Sequence, residues 1–242
     1  MRDYIFHLLF VWYPYVCLTV FLLGSLIRFD REPYTWRASS SQILRKRQLA
    51  WGSNLFHVGI LFLLLGHTVG LLTPTSLYTL IITVEQKQLI AVTAGGIAGV
   101  ICFIGLTLLL HRRLFDLRIR RTSSAMDIAI LVLLWVQLCL GLLTLPFSIA
   151  HKDGAVMLIL SHWAQGIVTL NPVDANTLQG LDWPYLVHLV LGMTLFFVFP
   201  FSRLVHIWSA PVWYLGRRGF QVVRTRRPLT PSDVRRSTEP AE

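Results

Sequence analysis

Five long apolar stretches alternate with polar segments along the chain. The apolar stretches are Tyr4–Ile27, Ser53–Leu72, Leu89–Leu110, Met126–Pro146 and Tyr185–Trp208. Each is close in length to the roughly 20 residues that an α-helix needs to cross the hydrocarbon core of a bilayer. Because lipid offers no hydrogen-bond partners to the backbone, isolated strands are excluded at these positions. The pattern predicts an all-α integral membrane protein with five transmembrane helices.

Composition and cysteine usage narrow the class of protein. Hydrophobic residues make up 54% of the chain and charged residues only 14%, which is too apolar for an ordinary soluble domain. Cys17, Cys102 and Cys139 lie singly in three different apolar stretches and form no Cys-x-x-Cys motif. Covalent attachment of a c-type haem is therefore excluded, and a cysteine-ligated iron–sulfur cluster on this chain is disfavoured. We interpret the cysteines as small packing residues.

The net charge of +10 suggests a nucleic-acid partner until the positions of the basic residues are considered. Six Lys and Arg residues lie between the first two apolar stretches, five lie between the third and fourth, and seven follow Trp208. The other side of the membrane carries only Arg2, Lys87 and Lys152. Cytoplasmic loops are enriched in basic residues. This asymmetry predicts an N-terminus outside and a C-terminus in the cytoplasm, with membrane lipid and no nucleic acid as partner.

The polar segments suggest how the chain is organised. Residues 1–224 are predicted to form the membrane domain, and residues 225–242 a disordered cytoplasmic tail, because the tail is polar and contains prolines. The connection 28–52 is rich in Trp, Tyr, Ser and Arg. Two interpretations of it stay open, a segment at the membrane surface and a docking surface for a cytoplasmic partner.

Four histidines inside two of the apolar stretches carry the candidate chemistry. His57 and His67 lie in the second stretch, and His188 and His206 lie in the fifth. An imidazole inside a membrane is costly unless something satisfies it. The two helices run in opposite directions, so His67 pairs with His188 near the outer face, and His57 with His206 near the inner face. Paired imidazoles from facing helices are the axial ligands of a haem, so the pattern predicts a diheme b-type cytochrome.

The spacing of these histidines is in tension with two haems clamped between two straight helices. Ten residues from His57 to His67 rise about 15 Å, whereas eighteen residues from His188 to His206 rise about 27 Å. Pro200 lies between His188 and His206. We expect it to bend the fifth helix and so account for part of the difference between the two rises.

Other residues near the four histidines have a functional and a structural interpretation. Gly66, beside His67, would leave room for a porphyrin, although simple helix packing is the preferred explanation for any single glycine. Arg203 and Arg112 lie where they would pair with haem propionates, and the alternative is an interfacial arginine at the membrane surface. The remaining histidines are expected to be interfacial residues: His7, His111, His151 and His162.

Several blocks of sequence resemble the membrane-embedded γ subunit of respiratory nitrate reductase, a five-span diheme cytochrome b. The matching blocks are YTWRASSSQ from Tyr34, SNLFHVGILFLLLGH from Ser53, LLTP from Leu71, GLLTLPFS from Gly141, and HLVLGMTLFFVFPFSRLVHIWSAPVWYL from His188. The four haem ligands of that family fall on His57, His67, His188 and His206, and its quinol-linked lysine falls on Lys87. Without the resemblance, Lys87 would be interpreted as an interfacial lysine.

The resemblance implies a function as well as a fold. It implies a multi-pass protein of the bacterial cell (inner) membrane that holds two haem b groups and oxidises menaquinol or ubiquinol near the outer haem. Electrons would pass to a cytoplasmic iron–sulfur β subunit and then to a molybdenum-containing α subunit that reduces nitrate to nitrite. Two alternatives stay open: a related cytochrome b feeding a sulfite- or heterodisulfide-type reductase, and a haem-free membrane anchor or transporter.

Overall fold

The computed structural model describes residues 1–36, 44, 46–151 and 153–209, and all regular secondary structure in these ranges is helical. Five helices are long and apolar enough to cross a membrane. The five-helix membrane architecture predicted from the sequence is thereby confirmed. We number the principal helices as α1 Arg2–Arg31, α2 Lys46–Leu72, α3 Val84–Phe115, α4 Ala125–Ala150, the short amphipathic α5 Ala155–Val168, and α6 Trp183–Val198.

Local sequence signals set where several helices begin. Thr83 and Gln86 form a reciprocal capping box at the start of α3, and Ser124 and Asp127 form another at the start of α4. Each box satisfies two of the backbone N–H groups that a helix start leaves without a partner. Within α1, a single π-helical turn at Leu8–Trp12 separates two α-helical parts.

Helices α2 and α3 pack with their backbones in close contact because small residues line their crossing. A Cβ atom on Gly59 would lie 2.7 Å from the Cα atom of Cys102, and one on Gly105 would meet the backbone of Phe56 and Leu55. Small residues at a helix crossing are the usual means by which membrane helices come this close. Substitution of either glycine would force α2 and α3 apart.

The long helices pack in the order α2, α3, α4, α6 and α1. Tyr13 of α1 and Thr194 of α6 share a hydrogen bond of 2.8 Å at the last of these contacts. In the described part of the chain, α2 and α6 do not pack closely against each other. Helix α2 carries His57 and His67, and it is therefore separated by a gap from α6, which carries His188, and from the segment after α6, which carries His206.

The fifth membrane segment differs from the prediction at its C-terminal end. The α-helix stops at Val198, a 3₁₀ turn follows at Phe199–Phe201, and Ser202 is extended before a second 3₁₀ segment at Arg203–Ser209. The apolar stretch Tyr185–Trp208 is therefore α-helical only as far as Val198, and the bend expected at Pro200 is an end of the α-helix. Pro200 is the cause, because it has no N–H group and cannot continue an α-helix. The predicted tail, residues 225–242, and most of the connection 28–52 lie outside the described residues.

Candidate functional site

The four histidines form two facing pairs. The ring centroids of His67 and His188 lie 6.2 Å apart, and those of His57 and His206 lie 6.4 Å apart. The two rings of the first pair are inclined by 38° and those of the second by 70°. The structure thus brings together the same histidine pairs that the opposite directions of the two helices predict.

The separations suit a metal placed between the two rings of each pair. An imidazole nitrogen binds a metal at about 2.0 Å, and the ring centre lies about 1.1 Å behind it, so two opposed imidazoles have centres about 6.2 Å apart. The described ranges contain no group of three or more His, Cys, Asp or Glu residues that would hold a metal ion unaided. Two axial imidazoles are what a haem requires, since the porphyrin fills the other four positions. The residues present therefore fit a haem at each pair.

Each of the four rings is oriented by a hydrogen bond from its Nδ1 atom. His57, His67 and His206 donate to backbone carbonyls of their own segments, at 2.7 Å to Ser53, 2.7 Å to Leu63 and 2.6 Å to Arg203. His188 instead reaches the carbonyl of Gln137 on α4, at 3.1 Å. A carbonyl only accepts, so each Nδ1 carries the proton and each Nε2 keeps its lone pair for a metal.

Helix α4 forms a close-fitting surface around His188. The side-chain amide of Gln137 donates to the carbonyl of His188 at 3.1 Å, and its nitrogen lies 3.4 Å from the Nε2 atom of that ring. A Cβ atom on Gly141 would lie 3.0 Å from the ring, and one on Gly192 would lie 3.2 Å from the Gln137 amide. Sequence reasoning missed Gln137, although a single amide in the middle of an apolar span is a signal for it.

The space beside His67 is open. A Cβ atom placed on Gly66 or Gly70 would meet no other atom within 4 Å. These two glycines therefore serve no helix contact in the described structure, unlike Gly59 and Gly105 of the α2–α3 crossing. The predicted role of Gly66 beside a haem stays a prediction.

Lys87 lies in the first turn of α3 and is only 8% exposed. Its ammonium nitrogen is 3.7 Å from the centroid of the Tyr78 ring, a cation–π contact. Among the described residues, neither this nitrogen nor the Tyr78 hydroxyl has a hydrogen-bond partner. The site offers unused donors next to an aromatic ring, which suits a ligand with an acceptor oxygen.

A charged cluster lies next to the His57–His206 pair. Asp127 lies 3.3 Å from Arg113 and 3.7 Å from Arg203, and it also caps the start of α4. Arg112 is buried and donates to the carbonyl of Leu44 at 2.6 Å. The predicted roles of Arg112 and Arg203 toward propionates stay predictions.

The other histidines lie outside the two pairs. His7 lies 3.4 Å from Asp174, His151 bonds the carbonyl of Phe147 at 3.1 Å, and His162 is exposed on α5. His111 lies 3.5 Å from the amide of Gln48 at the end of α3. The three cysteines form no disulfide in the described structure, as expected for packing residues.

Comparison with known proteins identifies the same family that the sequence blocks resemble. A family model described as the nitrate reductase gamma subunit matches residues 6–226. The respiratory nitrate reductase 1 gamma chain of Escherichia coli (strain K12) is 52% identical over 214 residues, covering 88% of this chain and 95% of that protein. The nitrate reductase gamma chain of Bacillus subtilis (strain 168) is 38% identical over 214 residues, with the same coverage of 88% and 95%.

A second gamma chain of Escherichia coli (strain K12), that of respiratory nitrate reductase 2, is 52% identical over 215 residues, covering 89% of this chain and 95% of that protein. Together with the five apolar helices, these matches confirm the predicted multi-pass location in the bacterial cell membrane. The chain belongs to the nitrate reductase gamma subunit family.

Proposed function

We propose that this chain is the diheme, quinol-oxidising membrane subunit of a respiratory nitrate reductase complex. The observation that carries the proposal is the pair of facing imidazoles at each end of the gap between α2 and α6, at 6.2 Å and 6.4 Å. In all four rings the Nδ1 atom is bonded to a carbonyl, which leaves Nε2 as the nitrogen that would bind iron, and in His188 that Nε2 also lies 3.4 Å from the amide nitrogen of Gln137. Four unrelated interfacial histidines would have no reason to share this geometry.

The residues that would hold the cofactors follow from the geometry. His67 and His188 would bind one haem b, with Gly66 leaving room for its face, and His57 and His206 would bind the other. Arg203 and Arg112 would face propionates. Bound haem supplies one-electron redox chemistry, which none of the described side chains offers by itself. The axial imidazoles and their hydrogen bonds would tune the haem potentials.

The membrane orientation follows from the basic residues. The excess of Lys and Arg on the side of the 28–52 connection supports an orientation with that side in the cytoplasm and the N-terminus outside. The His67–His188 pair is then the outer one and the His57–His206 pair the inner one. An electron moved inward works against the membrane potential, at about 2.3 kcal/mol per 100 mV. A strongly oxidising final acceptor such as nitrate is therefore needed.

Lys87 is the candidate residue for contact with the quinol. Its buried ammonium group lies at the outer end of α3 in the proposed orientation and has unused hydrogen-bond donors. It would hydrogen-bond an oxygen of menaquinol or ubiquinol and orient the ring, while the two protons of the quinol leave on the outer side. The Tyr78 ring beneath it would shield this contact from one face.

The partners of the proposed complex follow from the relatives. The similar proteins are gamma chains of nitrate reductases, which implies assembly with alpha and beta subunits. We propose that these are a molybdenum-containing α subunit and an iron–sulfur β subunit on the cytoplasmic side. The inner face of the membrane domain would be their docking surface.

A reduced-minus-oxidised absorption spectrum of the intact complex tests this proposal. We expect two b-type components in the wild type, loss of the inner one in His57→Ala and His206→Ala, and molybdenum and iron–sulfur subunits that co-purify. Absence of any b-type α band would leave a haem-free anchor. Co-purification with a different reductase would identify a cytochrome b of another pathway, and loss of the outer component in His206→Ala would overturn the pairing.

A further inference from the structure

Helix α6 ends eight residues before His206, so α-helical hydrogen bonds do not hold this histidine in place. Ser202 is extended, with φ −114° and ψ 177°, and it changes the direction of the chain between the two 3₁₀ segments. The last carbonyls of a helix have no N–H partner within it. In an apolar environment an unpaired carbonyl is unfavourable, so an outside donor is required here.

Arg28, near the end of α1, provides these donors. One terminal nitrogen of its guanidinium donates to the carbonyl of Pro200 at 2.6 Å and to that of Ser202 at 2.8 Å. The other terminal nitrogen donates to the carbonyl of Thr35 at 3.1 Å. An arginine is always charged and presents its donors in a fixed planar fork, which suits several carbonyls at once.

Packing between α1 and the turn keeps Arg28 opposite its acceptors. Gly24 lies one turn before Arg28, and a Cβ atom there would lie 2.9 Å from the ring of Pro200. Phe21 contacts Phe199 edge-on, with centroids 4.8 Å apart, and stacks on Trp208 at 5.4 Å. The turn is therefore seated directly on α1, and both sides of the segment that contains His206 are anchored there.

The hydrogen bonds of Arg28 lead directly to the His206 ring. The Ser202 carbonyl belongs to the peptide group that joins Ser202 to Arg203, and the next carbonyl, that of Arg203, accepts from the Nδ1 atom of His206 at 2.6 Å. A rotation of the first peptide plane would turn the second and with it the imidazole. The side chain of Arg203 is also held, 3.7 Å from Asp127.

We propose that Arg28 is a positioning residue for the inner haem: it fixes the turn at Pro200–Ser202 and so aims His206 at His57. This inference rests on the proposed function, because it takes His206 as a haem ligand. In the sequence, Arg28 is only one of the basic residues that predict the cytoplasmic side. Under this proposal, the positive charge of Arg28 contributes to membrane orientation, and its planar guanidinium positions His206. A substitution that keeps the charge can separate these two roles.

The test uses the assembled complex in membranes with three variants. Arg28→Lys keeps the charge that sets topology but loses the planar fork, Arg28→Gln loses both, and Arg31→Gln removes an exposed charge one turn away as the control. Partners of axial ligands typically change metal affinity about 10- to 100-fold when removed. We expect less inner haem in Arg28→Lys and less still in Arg28→Gln, with a shifted midpoint potential for what remains.

The readouts are the reduced-minus-oxidised spectrum, a redox titration of both b components, and the amount of protein by immunoblot. The outer component and the Arg31→Gln control should match the wild type. Two unchanged components in Arg28→Lys and Arg28→Gln would overturn the proposal and leave the diheme assignment intact. Equal loss of both components would also overturn it, by showing a general folding role. A wild type without b haem would instead remove the proposed function, and this inference with it.

Discussion

The two histidine pairs differ in what holds their rings. In the His67–His188 pair both residues lie on regular α-helices, and His188 is bonded across to the backbone of α4. In the His57–His206 pair only His57 lies on a regular helix, and His206 lies on a 3₁₀ segment beyond a break. The first pair therefore depends on how α4 packs against α6, and the second on the contacts that α1 and Asp127 make with the turn.

This difference has a general physical reason. A ligand in the middle of a helix is fixed by backbone hydrogen bonds that close within the segment. A ligand beyond a helix end has carbonyls and N–H groups without local partners, so side chains from other elements must supply them. Substitutions distant in sequence should thus affect the two pairs separately.

The largest expected effect is the loss of one haem from a ligand substitution. His67→Ala removes an axial ligand, so we expect the outer b component to disappear and quinol oxidation to fall to background. The inner component should keep its spectrum, because His57 lies about three turns away on α2. A redox titration of the complex measures both. Simultaneous loss of both components would show that the pairs are not independent.

Lys87→Met separates catalysis from haem binding at the outer end. We expect the rate of quinol oxidation to fall by about 10²-fold or less, as for a single positioned donor, while both b components remain. Removal of a buried cation without a hydrogen-bond partner should also leave the thermal midpoint unchanged or raised. Steady-state quinol kinetics and a thermal melt are the measurements. Kinetics identical to the wild type would return Lys87 to an interfacial role.

Gly141→Leu tests the dependence of the outer pair on α4. Even a Cβ atom at this position lies 3.0 Å from the His188 ring, so a leucine must displace the imidazole. Overpacking of this kind costs about 1–3 kcal/mol. We expect a shifted midpoint potential or partial loss of the outer component, with the inner one unchanged. Gly95→Leu is the matched control, because a Cβ atom there meets nothing within 4 Å.

Asp127→Asn is expected to have the smallest effect and to act on the inner pair. It weakens the contacts to Arg203 and Arg113, while the amide oxygen keeps part of the α4 cap. The two contacts measure 3.3 Å and 3.7 Å, longer than a charge-assisted hydrogen bond, so we expect them to contribute less than the about 1.5–3 kcal/mol of such a bond. A modest shift in the midpoint potential of the inner haem should appear in a redox titration. An effect confined to the outer haem would contradict the division between the two pairs.

Much of the membrane fold could be predicted from the apolar pattern, because a bilayer demands about 20 apolar residues in each helix. The pairing of His67 with His188 and of His57 with His206 also followed, from the opposite directions of the two helices. The residue at which α6 ends could not be predicted from the sequence. Pro200 indicated a bend, but a kinked helix and a terminated one share the same local sequence signal.

The residues that hydrogen-bond to the histidines or to their segments could not be predicted from the sequence. Gln137 contacts His188 across 51 positions of the chain, and Arg28 contacts Ser202 across 174. Neither separation follows any helical period, so no pattern within one helix could reveal them. Gln137 was at least conspicuous as an amide in an apolar span, whereas Arg28 was masked by its evident role in topology.

The sequence by itself thus determined which segments are long and apolar enough to enter the membrane, and it predicted which histidines pair, because hydrophobic length and helix direction are local properties. Tertiary structure decided how His188 and the segment of His206 are held, whereas His57 and His67 are held by carbonyls of their own helix. The break after Val198 exposes the carbonyls of Pro200 and Ser202, and only the folded arrangement of α1 brings the guanidinium of Arg28 to within 2.6 Å and 2.8 Å of them. Hydrogen-bond donors for a helix end can come from any element, and the packing of the helices selects which one.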